Sequence, residues 1–249
     1  MSTQRLLDVL EAQRVSATFF VLGWVADRHP RLLRDIHDRG HEVACHSYAH
    51  RHIASMDPAA FRADLRQAKA AIEDAIGAAI LGYRAPTCSV VRETLWALDI
   101  LSEEGFAYDS SIFPIHHDRY GIPDAPREPH RIPLANGGTI VEFPMSSVRL
   151  GGQNFPFCGG GYFRLLPYPV IRAGLRRLNR RENMPGMVYL HPWEVDPEQP
   201  RFSVARLTRF RHYVNIDRTV SKLQRLLRDF AFAPVADVLG ARGFLPAPR

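Results

Sequence analysis

The chain has 249 residues, of which 46% are hydrophobic and 23% are charged, a balance that excludes a disordered or fibrous protein. Lys and Arg outnumber Asp and Glu by 32 to 26, a net charge of +6 at pH 7 that would suit an anionic partner. The densest basic runs, 172–181 and 201–228, have helical apolar spacing and no interleaved aromatic motif. We therefore interpret them as solvated helix faces and expect no nucleic acid partner.

The cysteines and the apolar segments restrict the class of protein further. Cys45, Cys88 and Cys158 lie far apart without a Cys-x-x-Cys pair, which argues against a disulfide framework and against a cysteine-only zinc site. No apolar run approaches the roughly 20 residues of a membrane span, and residues 1–10 lack the pattern of a signal peptide. We expect no transmembrane segment and a cytoplasmic location, and the oligomeric state stays open.

Predicted strands and helices alternate along the chain. In chain order they are a helix around 3–10, a buried strand at 15–22, a helix at 27–39, a strand at 41–46, a helix at 57–76, a strand at 81–84, a helix at 90–105, a strand around 108, an aperiodic stretch at 112–133, a strand at 139–144, a helix at 167–181, a strand at 187–191 and helical surface at 207–230. This alternation predicts an α/β fold with a mainly parallel sheet or barrel, in a single domain spanning 1–249.

His46 and His50 form the sharpest local feature, because they directly follow the predicted strand 41–46. In α/β folds the loops after the carboxyl ends of strands build the functional site. Two imidazoles four residues apart can bind one metal ion, and zinc accepts neutral imidazole. Two surface histidines in a loop would show the same spacing, and that alternative stays open.

Other predicted strand ends also carry polar residues. His191 can act as a general acid, since its reference pKa of about 6.5 lets it donate a proton near neutral pH. Arg84 precedes a stiff Ala-Pro step. Taken alone, His191 is better explained as a satisfied histidine and Arg84 as part of a surface salt bridge, and turn chemistry explains the segment 109–111. The Gly-rich segment 159–164 lacks the lysine of a phosphate loop, so it predicts a tight turn.

Taken together and in order, these segments resemble the polysaccharide deacetylases (carbohydrate esterase family 4). The resemblance is carried by Ala17-Thr18-Phe19-Phe20, Gly40-His41-Glu42-Val43 leading to His46-Ser47-x-x-His50, Arg84-Ala85-Pro86, Tyr108-Asp109-Ser110-Ser111 and Leu190-His191-Pro192. The stretch GGGYFRLLP at 159–167, His191-Pro192-Trp193-Glu194 and the tail 210–234 are similar to the subgroup tied to exosortase-associated exopolysaccharide loci. The resemblance covers essentially the whole chain, with a subgroup-specific part from about 145 to 249.

The resemblance implies a distorted (β/α) barrel that uses a divalent metal, usually zinc, to remove N- or O-acetyl groups from an acetylated polysaccharide. It implies that His46 and His50 are metal ligands, that Arg84 orients the catalytic base and that His191 protonates the leaving amine. It further implies a groove for the acetyl and sugar groups, lined by Tyr108, Asp109, Ser110, Leu190 and Trp193.

The sequence departs from the family pattern at its beginning. The family's first motif, a strand ending in paired acidic residues that supply the base and the third metal ligand, has no counterpart here. We hypothesise an N-terminally shortened member with the first barrel strand missing, the strand 15–22 exposed at an open edge, and weak or no activity. Glu42, Asp109 and Asp118 stay open as substitute acids, although their spacing supports none of them.

A second function therefore stays open, that of a catalytically silent glycan-binding or assembly protein of exopolysaccharide biosynthesis. The sugar, its linkage, N- versus O-deacetylation and the metal used in the cell are not determined by the sequence.

Overall fold

A computed structural model of the chain describes residues 2–157, 159–203 and 205–246. In chain order the elements are α1 (Ser2–Ala12), β1 (Thr18–Val21), α2 (Gly23–Arg28), α3 (Pro30–Asp38), β2 (Glu42–Cys45), α4 (Pro58–Ile76), β3 (Gly82–Tyr83), α5 (Trp96–Glu103), β4 (Tyr108–Asp109), β5 (His130–Pro133), β6 (Thr139–Glu142), β7 (Ser147–Leu150), β8 (Gln153–Pro156), α6 (Gly160–Leu165), α7 (Tyr168–Arg176), α8 (Arg206–Tyr213), α9 (Thr219–Asp229) and α10 (Val235–Ala241). No helix of the described part is long and apolar enough to cross a bilayer.

The chain divides into two compact units, each made of two segments. The sheet unit comprises Ser16–Met145 and Ala233–Arg249, and the helical unit comprises Met1–Val15 and Ser146–Phe232. The division after residue 145 coincides with the start predicted for the C-terminal part, while the single-domain interpretation stays a prediction. Cys45 and Cys88 are free thiols, and Cys158 lies outside the described residues.

The sheet unit contains six strands in the order β1-β2-β3-β4-β6-β5. Every neighbouring pair is parallel except β5 and β6, which are antiparallel. The predicted α/β class with a mainly parallel sheet is thus confirmed. Within the described residues this sheet is open, with β1 and β5 at its edges, and does not close into a barrel. Strand β5 also shows that the stretch 112–133 is not wholly aperiodic.

Strand β1 is less buried than its sequence predicts. All four of its residues are half-buried, whereas Val43, Ala44 and Cys45 of the neighbouring β2 are buried. The difference arises because β1 pairs with β2 on one side only. The prediction of a buried strand at 15–22 was therefore wrong, and the exposure expected for an edge strand fits the structure.

Local sequence signals explain where the helices begin and end. Asp57 caps α4 by accepting a hydrogen bond from the Ala60 amide at 2.7 Å, and the helix ends at Gly77 with a left-handed φ of 69°. The predicted helix 27–39 is instead two helices, α2 and α3. Pro30 is the first residue of α3, where its missing N–H costs no helical hydrogen bond, but it cannot continue α2.

The helical unit departs most from the sequence predictions. The hairpin of β7 and β8 was not predicted, and the segment expected to form a tight turn at 159–164 forms most of α6. The expected strand 187–191 makes only one isolated bridge, between Tyr189 and Gly159. The predicted helix 167–181 is α7 followed by a π-helical turn, Arg177–Arg181.

Two carboxyl groups lie side by side in the core of the sheet unit. Asp109 of β4 and Glu142 of β6 are register partners, and neither side chain is exposed to solvent. Burial and the adjacent Asp109 charge raise the pKa of Glu142 well above its ordinary value, and burial also raises the pKa of Asp109. At a pH between the ordinary and the raised pKa of Glu142, the pair therefore retains a proton.

We predict that Glu142→Gln makes folding stability less sensitive to pH. The pKa of Glu142 is higher in the folded than in the unfolded chain, so the folded chain keeps a proton that the unfolded chain releases above about pH 4.5. The free energy of unfolding of the wild type should therefore fall above that pH, by up to about 1.4 kcal/mol per pH unit for one proton. The amide mimics the protonated acid and should remove this loss.

Urea unfolding at several pH values between 5 and 8 measures the effect, with the exposed Glu128→Gln as control. The stability of the Glu142 variant relative to wild type should rise with pH, and that of the control should not. A pH-independent difference would show that the carboxyl pair holds no extra proton.

Candidate functional site

His46 and His50 lie in the loop that follows β2, as the sequence predicts. The His46 amide continues the strand ladder by donating to the Val21 carbonyl at 2.8 Å, and the two imidazole centroids are 5.1 Å apart. His46 Nδ1 lies 2.7 Å from the carbonyl oxygen of Arg84. We therefore assign the hydrogen to Nδ1 and the lone pair to Nε2, which is the arrangement found in metal-ligating histidines.

The backbone of this loop is held in an uncommon conformation. Ser47 and His50 have positive φ values of 68° and 58°, a region that costs free energy for residues other than glycine. The buried Asp64 of α4 accepts hydrogen bonds from Ser47 Oγ at 2.6 Å and from the Tyr48 amide at 2.8 Å. These bonds tie the part of the loop between the two histidines to α4.

Arg84 follows β3 and its side chain is buried. Its guanidinium donates to the carbonyl and to Oγ of Ser110, at 2.9 and 2.8 Å, and lies 4.0 Å from the ring centroid of Phe20. Arg84 thus joins the ends of β3 and β4 while its own carbonyl holds His46. These contacts include no carboxylate that Arg84 could orient as a catalytic base. Its orienting role therefore stays a prediction.

Tyr108, Asp109 and Ser110 have no exposed surface, which corrects their predicted place in a sugar groove. The Tyr108 hydroxyl donates to Glu42 Oε1 at 2.8 Å, and Ser110 Oγ donates to the Phe143 carbonyl at 2.7 Å. Because these side chains are used inside the sheet unit, they support neighbouring residues instead of touching a sugar.

None of the three acids considered as substitutes joins the histidine pair. Glu42 lies at the amino end of β2, where it accepts from Tyr108 and from the Ala236 amide, and Asp109 pairs with Glu142. Asp118 is exposed, 3.0 Å from His117. Within the described part of the chain, no group of three or more His, Cys, Asp or Glu side chains could hold a metal. His46 and His50 therefore have no third protein ligand there.

The helical unit contains the other predicted group, Leu190, His191 and Trp193. The His191 side chain is 53% exposed, whereas Glu194 is fully buried. Glu194 Oε1 accepts from the His191 amide at 2.9 Å and from His191 Nδ1 at 2.8 Å. This contact assigns the hydrogen to Nδ1 and fixes the orientation of the ring.

A buried arginine holds Glu194 from its other side. Arg164 Nε donates to Glu194 Oε2 at 2.6 Å, with 3% of the arginine side chain exposed. The remaining guanidinium nitrogens donate to the carbonyls of Arg211, His212 and Val214. Burial raises the pKa of Glu194, but the hydrogen bonds from His191 and Arg164 outweigh it and leave that pKa lowered. Glu194 is therefore an ionised, fully paired carboxylate.

Other side chains pack against the indole ring of Trp193. It stacks on His212 with centroids 4.1 Å apart, and the Arg164 guanidinium lies 5.0 Å from its ring. Burial lowers the pKa of His212, so this ring is neutral at pH 7. Leu190 and Trp193 are half-buried. The structure brings His191 and Trp193 together, 5.8 Å apart, but Trp193 packs inside the unit more than the predicted groove implied.

Sequence analysis missed Asp64, Arg164, Glu142 and Glu194 as supporting residues. Two of them leave a detectable signal. Asp64 is a charged residue on the apolar stripe of α4, beside Leu65 and one turn from Phe61 and Ala68, and His191-Pro192-Trp193-Glu194 has the spacing of a capping box with proline at the first position. Arg164 and Glu142 give no such local signal.

The boundaries of the matching protein families differ from those of the two compact units. Residues 1–106 match the family described as polysaccharide deacetylase, and residues 110–240 match the family described as domain of unknown function DUF3473. The second match covers more than half of the chain. No subgroup tied to exosortase loci is identified by these matches.

Similar proteins include named deacetylases. The chitooligosaccharide deacetylase of Rhizobium leguminosarum bv. trifolii is 32% identical over 114 residues, which are 46% of this chain and 49% of that protein. The chain therefore shares a region of only about half the length of this curated relative.

Solved structures share the fold. A putative polysaccharide deacetylase from Mycobacterium smegmatis aligns over all of this chain and 80% of its own, with 22% identity and a TM-score of 0.64. The Puue allantoinase aligns over 98% of this chain and 74% of its own, with 18% identity and a TM-score of 0.63. At these identities the likeness shows the fold alone.

The two family matches cover nearly the whole chain. The chain therefore belongs to the DUF3473 family, and its residues 1–106 match the polysaccharide deacetylase family.

Proposed function

We propose that this protein is a metal-dependent hydrolase that removes acetyl groups from a polysaccharide. The observation that carries the proposal is the geometry of His46 and His50, held at a strand end in the region that matches the polysaccharide deacetylase family. Relatives named as deacetylases of chitooligosaccharides and of peptidoglycan N-acetylglucosamine support an acetylated aminosugar polymer as substrate. Exopolysaccharide is the finer substrate class that we propose.

The donor set suits zinc, although it is incomplete within the described residues. Neutral imidazoles are preferred zinc ligands, and a catalytic zinc takes three protein ligands and a water molecule. His46 and His50 would supply two of the three. When bound, the metal would polarise an acetyl carbonyl and lower the pKa of its water.

His191 is the proposed proton donor to the leaving group. Nδ1 is bound to the ionised Glu194, so the ring keeps one orientation and Nε2 is the atom that would donate the proton. Arg164 in turn prevents Glu194 from turning away. The exposed His191 ring is thereby a positioned acid.

A second candidate function is glycan binding without catalysis. The observation that favours it is the lack of a third metal-ligating side chain beside His46 and His50 in the described part of the chain. A protein with this defect could keep the polysaccharide partner and lose the reaction.

Acetate release separates the two candidates. We expect the purified chain with Zn²⁺ or Co²⁺ to release acetate from an N-acetylated chitooligosaccharide, and His46→Ala to abolish the release. His191→Ala should lower kcat by about 10²–10⁴-fold, the usual contribution of a general acid, and leave metal binding unchanged.

Saturable oligosaccharide binding without acetate release would instead favour the silent protein. Equal loss of metal and activity in His191→Ala would place His191 among the metal ligands and overturn its assignment as the acid.

Asp64→Ala should weaken metal binding although Asp64 is not a ligand. Without its two hydrogen bonds, the loop with positive φ at Ser47 and His50 should relax and move the imidazoles apart. We expect the zinc Kd, measured by competition with a chelator, to rise about 10–100-fold, as for other residues that orient ligands. As a control, Asp74→Ala, which replaces an exposed residue on the same helix, should leave the zinc Kd unchanged. An equal Kd in the wild type and both variants would contradict the positioning role of Asp64.

Glu194→Gln should change the protonation of the His191 ring. The amide can accept or donate at Nδ1, so ¹⁵N NMR should show a mixture of tautomers in place of the single Nδ1–H form. We expect kcat to fall at least tenfold with KM nearly constant, while the exposed Glu198→Gln keeps wild-type values.

Because the variant leaves the buried Arg164 facing a neutral group, its stability should fall as well. Kinetics are therefore measured below its unfolding temperature. An unchanged tautomer would contradict the role of Glu194 even if the stability fell.

A further inference from the structure

The helical unit is far more basic than the sheet unit. It contains 17 Lys and Arg residues against 8 Asp and Glu, a net charge of +9. The sheet unit contains the remaining 15 Lys and Arg residues and 18 Asp and Glu residues, which give it a net charge of −3. The net charge of +6 of the whole chain is thus the sum of one strongly positive unit and one slightly negative unit. The electric field of the positive unit attracts anions.

Within this unit, four arginines of one helical stretch line a half-open cavity. The cavity has a volume of about 360 Å³ and is lined by Ala173, Arg176, Arg177, Arg180 and Arg181. Its size is at the lower end of the range of ligand sites. We call it the arginine cavity.

The backbone at the arginine cavity is unusual. Residues Arg177–Arg181 form a π-helical turn directly after α7. A π-turn widens the helix and changes the direction of its side chains, and such turns occur frequently at functional sites. Three of the four arginines of the cavity belong to this turn.

Nearby carboxylates leave most of the positive charge uncompensated. Glu182 pairs with Arg177 at 2.7 Å. Asp229 pairs with Arg172 at 2.9 Å and also accepts from the Tyr168 hydroxyl, while Arg176 attracts it only over a longer distance. Among the described residues, Arg180 and Arg181 make no ion pair, and both are exposed. Guanidinium groups in this state are suited to bidentate recognition of carboxylates.

We propose that the arginine cavity binds a carboxylate-bearing polysaccharide. The proposal rests on the proposed function for the choice of a polysaccharide, and it adds that the polymer is acidic. A half-open site of this volume can admit a single acidic sugar. Its lining contains no aromatic ring on which the bases of a single-stranded nucleic acid would stack.

The matching test compares two triple variants with the same change in charge. The first is Arg176→Glu, Arg180→Glu and Arg181→Glu at the cavity. The control is Arg206→Glu, Arg209→Glu and Arg211→Glu, exposed residues of α8 in the same unit. Binding of the full chain to polygalacturonate is measured at low and high salt, with dextran as the neutral polymer. A milder pair, Arg180→Gln and Arg181→Gln, covers the case in which the first triple does not fold.

We expect polygalacturonate to bind in a salt-dependent way and dextran not to bind. The cavity triple should lower the affinity at least tenfold, the control triple less than threefold, and the milder pair by an intermediate factor. Equal losses in both triples would mean that only net charge matters and would overturn the proposal. Absence of polygalacturonate binding would overturn it too, including the cases in which anionic phospholipid vesicles or single-stranded DNA bind instead.

Activity on a short neutral substrate separates this proposal from the proposed function. Acetate release from an N-acetylated chitooligosaccharide without polygalacturonate binding would overturn only the acidic-polymer site. Polygalacturonate binding without acetate release from any acetylated substrate would overturn only the deacetylase.

Discussion

A buried guanidinium organises the carboxyl ends of the strands in the sheet unit. The Arg84 side chain ties β3 to β4 through Ser110, and its carbonyl oxygen fixes His46 Nδ1. A buried positive charge requires a nearby negative one, and the register of β4 and β6 supplies it as Asp109 and Glu142. Both carboxyls lie close enough to feel the charge of the Arg84 guanidinium, so the core places one basic group beside two acidic ones. His46, the predicted metal ligand, is held by the main chain of the residue whose side chain carries this buried positive charge.

In the helical unit, too, a buried arginine is linked to a histidine ring. Arg164 is buried, held by three backbone carbonyls, and neutralised by Glu194, which in turn holds His191 Nδ1. His46 Nδ1 contacts the main-chain carbonyl of a buried arginine, whereas His191 Nδ1 contacts a carboxylate that a buried arginine holds. The histidines differ in exposure and in proposed task, one binding a metal ion and the other donating a proton.

The sequence predicted the elements with strong local signals. Helix α4 has its cap at Asp57, its glycine end and a clear apolar stripe, and both ends fall where expected. The parallel sheet followed from the strand–helix alternation. Predictions failed where burial depends on partners distant in the chain: β1 is apolar but half-exposed, because an edge strand is defined by its neighbours and not by its own residues. The hairpin of β7 and β8 was missed although Val148 and Leu150 alternate with polar residues and Gly151-Gly152 is a typical two-residue turn.

In the candidate site, too, residues with local sequence signals were predicted and residues that act through distant contacts were not. His46, His50, Arg84 and His191 were identified from strand ends and motif order. The residues that hold them, Asp64, Glu142, Glu194 and Arg164, act through contacts that mostly join separate elements, and Tyr108 was misplaced in a groove because its motif gives no information on burial.

The central claim, that His46 and His50 form a divalent metal site, is tested most directly by metal content. The purified chain is equilibrated with zinc, freed of excess by gel filtration and analysed by elemental mass spectrometry, beside His46→Ala, His50→Ala and His52→Ala. The account predicts close to one zinc per chain in the wild type and in His52→Ala, and none in the other two variants. Absence of zinc from the wild type, or its retention in both His46→Ala and His50→Ala, would contradict the claim.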